Sequence, residues 1–106
     1  LVILLGLSKD KEIDKICELL SRSTADLILL IKSRHPKAMD QKEILEYFTE
    51  NNNTVKNASS IFEAISTARK ELGPEALILS IGSLFSSAEV REYLLGIDPE
   101  LYQAIV

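Results

Sequence analysis

Short apolar runs alternate with amphipathic segments along the whole chain, and this alternation constrains the fold more than any other feature. The runs are Leu1–Leu5, Leu27–Ile31, the weaker Thr54–Lys56, and Leu77–Leu84. Runs this short, rich in Leu and Ile and bounded by turn residues, read as strands buried on both faces. Between the first two, Ile13, Ile16, Cys17 and Leu20 fall at spacings of three, four and seven, which is one stripe of a helix. Ile44, Leu45 and Phe48 mark a shorter helix that stops at Asn51-Asn52-Asn53. Ile61, Ala64, Ile65, Ala68 and Leu72 form the cleanest stripe and end at Gly73-Pro74. Val90, Leu94 and Leu95 lie on a last helix that closes at Gly96, and Asp98-Pro99-Glu100 offers the start of one more turn.

Start signals fit these segments. Ser8-Lys9-Asp10 offers helix-start chemistry, Asp40 with Glu43 and Ser60 with Glu63 read as capping boxes, and Ser86 with Glu89 caps the last helix. Strand followed by helix, repeated in this way, predicts a three-layer α/β domain of Rossmann-like type. Its mostly parallel sheet of about four strands is covered by helices on both faces. Right-handed crossovers favour the spatial order 4-1-2-3 for the strands in chain order. The chain would then reverse direction of winding between strands 1 and 4. The loops after Gly6 and Ile81 would splay apart there and leave a crevice at the carboxyl end of the sheet.

Size and charge narrow the function. A chain of 106 residues makes one domain, residues 1–106, and buries about two-thirds of its unfolded surface. Its formal net charge is −4 and no run of Lys and Arg occurs, so no nucleic-acid partner is expected. Leu1–Leu5 is too short to span a membrane and lacks the charged start of a signal peptide, so no membrane partner is expected either. Cys17 is the only cysteine, which excludes an internal disulfide and a cysteine metal site and fits a cytoplasmic setting. The chain opens on Leu inside an apparent strand and reads as a piece of something longer.

The crevice is lined by Ser8-Lys9-Asp10-Lys11 on one side and Gly82-Ser83 on the other. Both feed helix N-termini, whose free N–H groups favour an anion. A lysine adds a charge and a serine a hydrogen bond, which together suit a carboxylate or a phosphate. Lys9 and Lys11 read equally well as solvated first-turn residues, and Ser83 as a helix cap. Glycine occurs only at 6, 73, 82 and 96, which rules out both a phosphate-cradling G-x-x-x-x-G-K-[ST] loop and a G-x-G-x-x-G dinucleotide fingerprint. His35, between Arg34 and Pro36, reads as a surface histidine, and Cys17 as a core residue. A receiver-type acidic pocket would need an aspartate where the third strand instead ends in Lys56-Asn57.

Several short stretches resemble the C-terminal domain of folylpolyglutamate synthase/dihydrofolate synthase, a branch of the Mur ligase superfamily. They are Gly6 with Asp10-Lys11-Glu12, Pro36-Lys37-Ala38, and Glu63-Ala64 through Ala68. Ile81-Gly82-Ser83-Leu84-Phe85 and Glu89-Val90-Arg91 complete the set. Their order and spacing over positions 1–95 carry the resemblance. Glu12, Lys37, Ile81 and Phe85 depart mildly from the family pattern.

The resemblance implies an ATP- and Mg2+-dependent enzyme that phosphorylates a folate or dihydropteroate carboxylate. The amino group of L-glutamate then attacks the acyl phosphate. It implies an upstream ATP-binding domain in the same enzyme, no cofactor held by this chain alone, and no catalytic residue within it. It places the incoming amino acid's carboxylates at Lys11 and Ser83, with Asp10 and Gly82 in the same motifs. Lys37 stands where the family has arginine, without that residue's bidentate fork. It also implies that two strands precede Leu1, leaving the outer edge of the fourth strand open. That edge, residues 76–81, is expected to pair with a second copy or to be covered by the tail 97–106. The alternatives are a non-catalytic Rossmann-like ligand-binding or regulatory module, and a Mur ligase acting on a cell-wall precursor.

Overall fold

The alternation of apolar runs and amphipathic stripes is realised as eight elements in a computed structural model that describes residues 1–9, 12–48 and 54–97. The elements are β1 (Val2–Gly6), α1 (Ile13–Ser21), β2 (Leu27–Leu30), α2 (Gln41–Leu45), β3 (Thr54–Asn57), α3 (Ile61–Leu72), β4 (Ile78–Gly82) and α4 (Leu84–Leu95). Asn51–Asn53, Asp98-Pro99-Glu100 and the rest of the tail lie outside the described residues. The strands pair in parallel in the order β3-β2-β1-β4, which is the order expected from the connections.

The continuous apolar character of β1 and β2 follows from cover on both sides. Val2, Leu4, Leu27 and Leu29 pack against Ala64, Ile65 and Ala68 of α3 and Val90 of α4. Ile3, Leu5, Ile28 and Leu30 face the other way, onto Cys17 of α1, Ile44 of α2 and Phe48. Alternate residues of a strand point to opposite faces, so a strand covered twice needs apolar residues at every position. Each such Leu or Ile contributes about 1.5–3 kcal/mol. Ala64 and Ala68, fully buried one turn apart, let α3 lie close on the sheet.

Several expectations change in three dimensions. β4 is not buried on both faces. It borders only β1 in the described sheet, and Leu77 and Leu79 are 70% and 46% exposed. Leu45 and Leu72, expected to face inward, are 38% and 39% exposed, because they lie at the ends of their helices past the edge of the packed stripe.

The helix starts also differ in detail. α1 begins at Ile13 with Glu12 as its N-cap and no side-chain cap bond, while Ser8 bridges to Ala38 instead. Ser60 caps α3, its hydroxyl accepting the Glu63 N–H, while the Glu63 carboxylate accepts the Ser59 hydroxyl instead of closing the expected box. Asp40 caps α2 by accepting the Lys42 N–H rather than through a reciprocal box with Glu43. α4 starts earlier than expected, capped by Ser83 and not by Ser86. Its burial is inverted: Ser86 and Glu89 are buried while Leu84, Leu94 and Leu95 are exposed. No helix among the described residues is long and apolar enough to cross a membrane.

Candidate functional site

The carboxyl ends of β1 and β4 meet as two glycines. Gly6 pairs with Gly82, and the Ser83 N–H donates to the Gly6 carbonyl at 2.7 Å. Gly82 has φ +115°, and a Cβ there would lie 2.1 Å from the Gly6 oxygen. A Cβ on Gly6 would lie 2.7 Å from the Ser86 Cβ. Only glycine lets the start of α4 approach the end of β1 this closely. From this point the chain diverges, because Cys17 of α1 packs on one face of the sheet and Val90 of α4 on the other. The two exits therefore separate where the strand order reverses, the position at which open α/β sheets bind ligands.

Ser83 sits at the first turn of α4 with 3% exposure. Its hydroxyl accepts the Ser86 N–H at 3.1 Å and lies 3.0 Å from the Ser86 hydroxyl. The Ser86 hydroxyl in turn donates to the Gly6 carbonyl, 3.1 Å away. Ser83 thus does the work of a cap, and its hydroxyl belongs to a small buried group of hydroxyls at the end of β1.

The loop after β2 completes the site. The Lys37 carbonyl accepts the Lys9 N–H at 3.0 Å, and the Leu7 carbonyl accepts the Met39 N–H at 2.8 Å. Lys37 and Lys9 are both exposed. Of the sequence-predicted residues, then, Gly82 and Ser83 lie at the β1–β4 exit, and Lys37 lies against the loop that leads from β1 toward Asp10 and Lys11. Asp10 and Lys11 themselves lie outside the described residues.

His35 corrects the surface reading. It is 9% exposed, and its ring stacks on Phe85 with centroids 3.8 Å apart and planes 11° from parallel. A signal for this was present. Ser33 and His35 point inward while Lys32, Arg34 and Pro36 point outward, so the period-two alternation of β2 runs on past its end. Arg34, next to it, ties the same loop to α4. Its guanidinium reaches Glu89 at 3.3 Å and Glu92 at 2.9 Å, and its backbone N–H donates to the Glu89 carboxylate at 2.8 Å. This ion pair borders a cleft of about 600 Å3 between the ends of β2 and β3 and the second half of α4, away from the glycine pair.

Cys17 is fully buried, and burial with nearby Asp14 pushes its thiol up to about 11, as suits a core residue and not a nucleophile. The described residues hold no group of three or more His, Cys, Asp or Glu that could bind a metal ion.

No protein-family model matches the chain, and no curated protein does. Solved structures do. A Mycobacterium tuberculosis folylpolyglutamate synthase complexed with ADP and AMPPCP matches 93% of this chain and 24% of its own, at 22% identity and a TM-score of 0.66. An E. coli FolC in complex with DHPP and ADP matches 89% of this chain and 22% of its own, at 23% identity and a TM-score of 0.71. The chain therefore has the fold of one part of these enzymes and spans about a quarter of their length. That likeness falls on the same enzymes whose motifs the sequence resembles.

Proposed function

We propose that this chain is the C-terminal domain of an ATP-dependent ligase of the folylpolyglutamate synthase/dihydrofolate synthase type, and that it holds the glutamate side of the reaction. The observation that carries the reading is the meeting of Gly6, Gly82 and Ser83 at the point where the strand order reverses, with the loop toward Asp10-Lys11 leaving from the same place. The motif order and the fold likeness to folylpolyglutamate synthase and FolC support it.

In this reading Lys11 supplies a charge and Ser83 a hydroxyl to the carboxylates of the incoming L-glutamate. Gly82 lets α4 start against the end of β1, Asp10 flanks the lysine, and Lys37 adds a second cation at the rim. ATP with Mg2+, held by an upstream domain, supplies the activated acyl phosphate of a folate or dihydropteroate. The sequence of this chain carries no phosphate-cradling glycine loop. Its part is to hold the amino acid so that the amino group meets the activated carbonyl, a contribution of positioning.

The test is steady-state kinetics of the full-length parent enzyme. Lys11→Ala raises the KM for glutamate about tenfold or more and leaves the KM for ATP near its original value, as expected for the loss of a charge-assisted contact. Ser83→Ala shows the same selectivity. It also lowers stability by about 1 kcal/mol through the lost cap, which a parallel melting curve separates from binding. Unchanged glutamate kinetics in both variants would remove the assignment.

A further inference from the structure

We propose that His35 is a positioning residue for the amino-acid side of the candidate site at the β1–β4 exit. Its ring holds the turn that carries Lys37, and through it the loop after β1, in a set relation to the first turn of α4. The inference rests on the functional reading above and adds to it a residue that none of the motifs contains.

Three chain segments bear the candidate residues; the His35 ring touches two of them, and the third is joined to it through Lys37. Its face lies on Phe85, two residues beyond Ser83. Its Nδ1 accepts the Lys37 N–H at 3.1 Å. The Lys37 carbonyl accepts the N–H of Lys9, two residues before Lys11. A residue serving only as filler would need the ring but not the acceptor.

The rest of the turn is built around the same residue. The His35 N–H donates to the Ser33 hydroxyl at 3.2 Å, and the His35 carbonyl accepts the Ala38 N–H at 3.0 Å. The Arg34 N–H goes to Glu89 and the Met39 N–H to Leu7, while Pro36 has none to place. Every backbone donor from Arg34 to Met39 is therefore engaged, and the turn is pre-set before any ligand arrives. Pre-setting of this kind lowers the ordering cost of binding. An Nδ1 that accepts also places the neutral ring's proton on Nε2.

The experiment uses the full-length parent enzyme with L-glutamate and ATP as varied substrates, and reads amide exchange at Lys37 beside the kinetics. His35→Phe keeps a stacking ring and removes the acceptor. It is expected to speed Lys37 exchange about fivefold, the worth of one ordinary hydrogen bond. It should raise the KM for glutamate by a similar factor without moving the KM for ATP. His35→Asn, which returns an acceptor oxygen near the place of Nδ1, restores Lys37 protection. Phe85→Leu removes the stack and leaves the His35 acceptor in place, raises the KM for glutamate, and carries the test if His35→Phe does not fold.

Unchanged Lys37 exchange in His35→Phe overturns the proposal whatever the kinetics show. So does an unchanged KM for glutamate in both His35→Phe and Phe85→Leu when Lys11→Ala raises it, and in that case the functional reading stands. If Lys11→Ala and Ser83→Ala also leave glutamate kinetics unmoved, both readings fall together.

Discussion

Replacing Gly82 by alanine tests the contact on which the site is built. The residue has φ +115°, a region L side chains rarely occupy, and holding a non-glycine residue in a sparsely populated region costs about 1–3 kcal/mol. The added Cβ would also sit 2.1 Å from the Gly6 carbonyl oxygen, far inside contact distance, so the strand ends must part. That oxygen accepts both the Ser83 N–H at 2.7 Å and the Ser86 hydroxyl at 3.1 Å. Each of these bonds is worth about 0.5–1.5 kcal/mol net. The expected loss is therefore about 4 kcal/mol, a large share of the stability of an ordinary domain. Urea unfolding of the 106-residue chain, followed by circular dichroism, reads this as a lower midpoint at unchanged slope. Gly73 and Gly96 provide the control, with φ +87° and +65° and nothing within 4 Å of an added Cβ. Alanine at either pays only the backbone term, about 1–2 kcal/mol at Gly96 in the left-handed region and about 1–3 kcal/mol at Gly73, whose ψ is 174°. If Gly82→Ala costs no more than Gly96→Ala, the close approach of β1 and α4 is wrong, and with it the shape of the site.

Two further outcomes follow from buried polar groups. Arg34→Ala is expected to cost about 2–3 kcal/mol, more than Glu89→Gln, because it takes the facing cation from a carboxylate whose side chain is 3% exposed and leaves it the residue-34 N–H, whereas the 41% exposed guanidinium can turn toward water. Equal costs for the two in denaturant unfolding would refute that asymmetry. Cys17, whose folded-state thiol is raised from 9.0 to about 11, contributes stability that is fully present below about pH 9 and is lost as pH rises through about 11. The original chain should lose urea midpoint relative to Cys17→Ala across that window, and parallel curves would show that the thiol is not desolvated as described.

The strand order was legible because β1 and β2 carry apolar residues at every position, a pattern that only two-sided cover explains. β3 was harder to read, since only Val55 of its residues packs into the core and the others face outward or along the edge. Ser83 and Ser86 both present capping chemistry in sequence, so local pattern alone does not place the start of α4. In the fold Ser86 is claimed by Gly6, 80 residues away, and Ser83 takes the cap. His35 reads as a surface residue from its polar neighbours; the alternation running on from β2 turns it inward, and its ring partner Phe85 lies 50 residues along the chain.

The amino-acid sequence by itself determined the layers of this protein, the order of its strands and the place where its winding reverses. Those features rest on periodicity, turn residues and short crossovers, all of which act over a few residues or one connection. Only the tertiary structure decided which polar groups are buried and what they hold: Ser83 as a cap, Ser86 on Gly6, Glu89 on Arg34 and His35 on Phe85 and Lys37. The physical reason is that a polar side chain is buried only where a partner meets it, and except for the cap and the Lys37 bond these partners lie far along the chain.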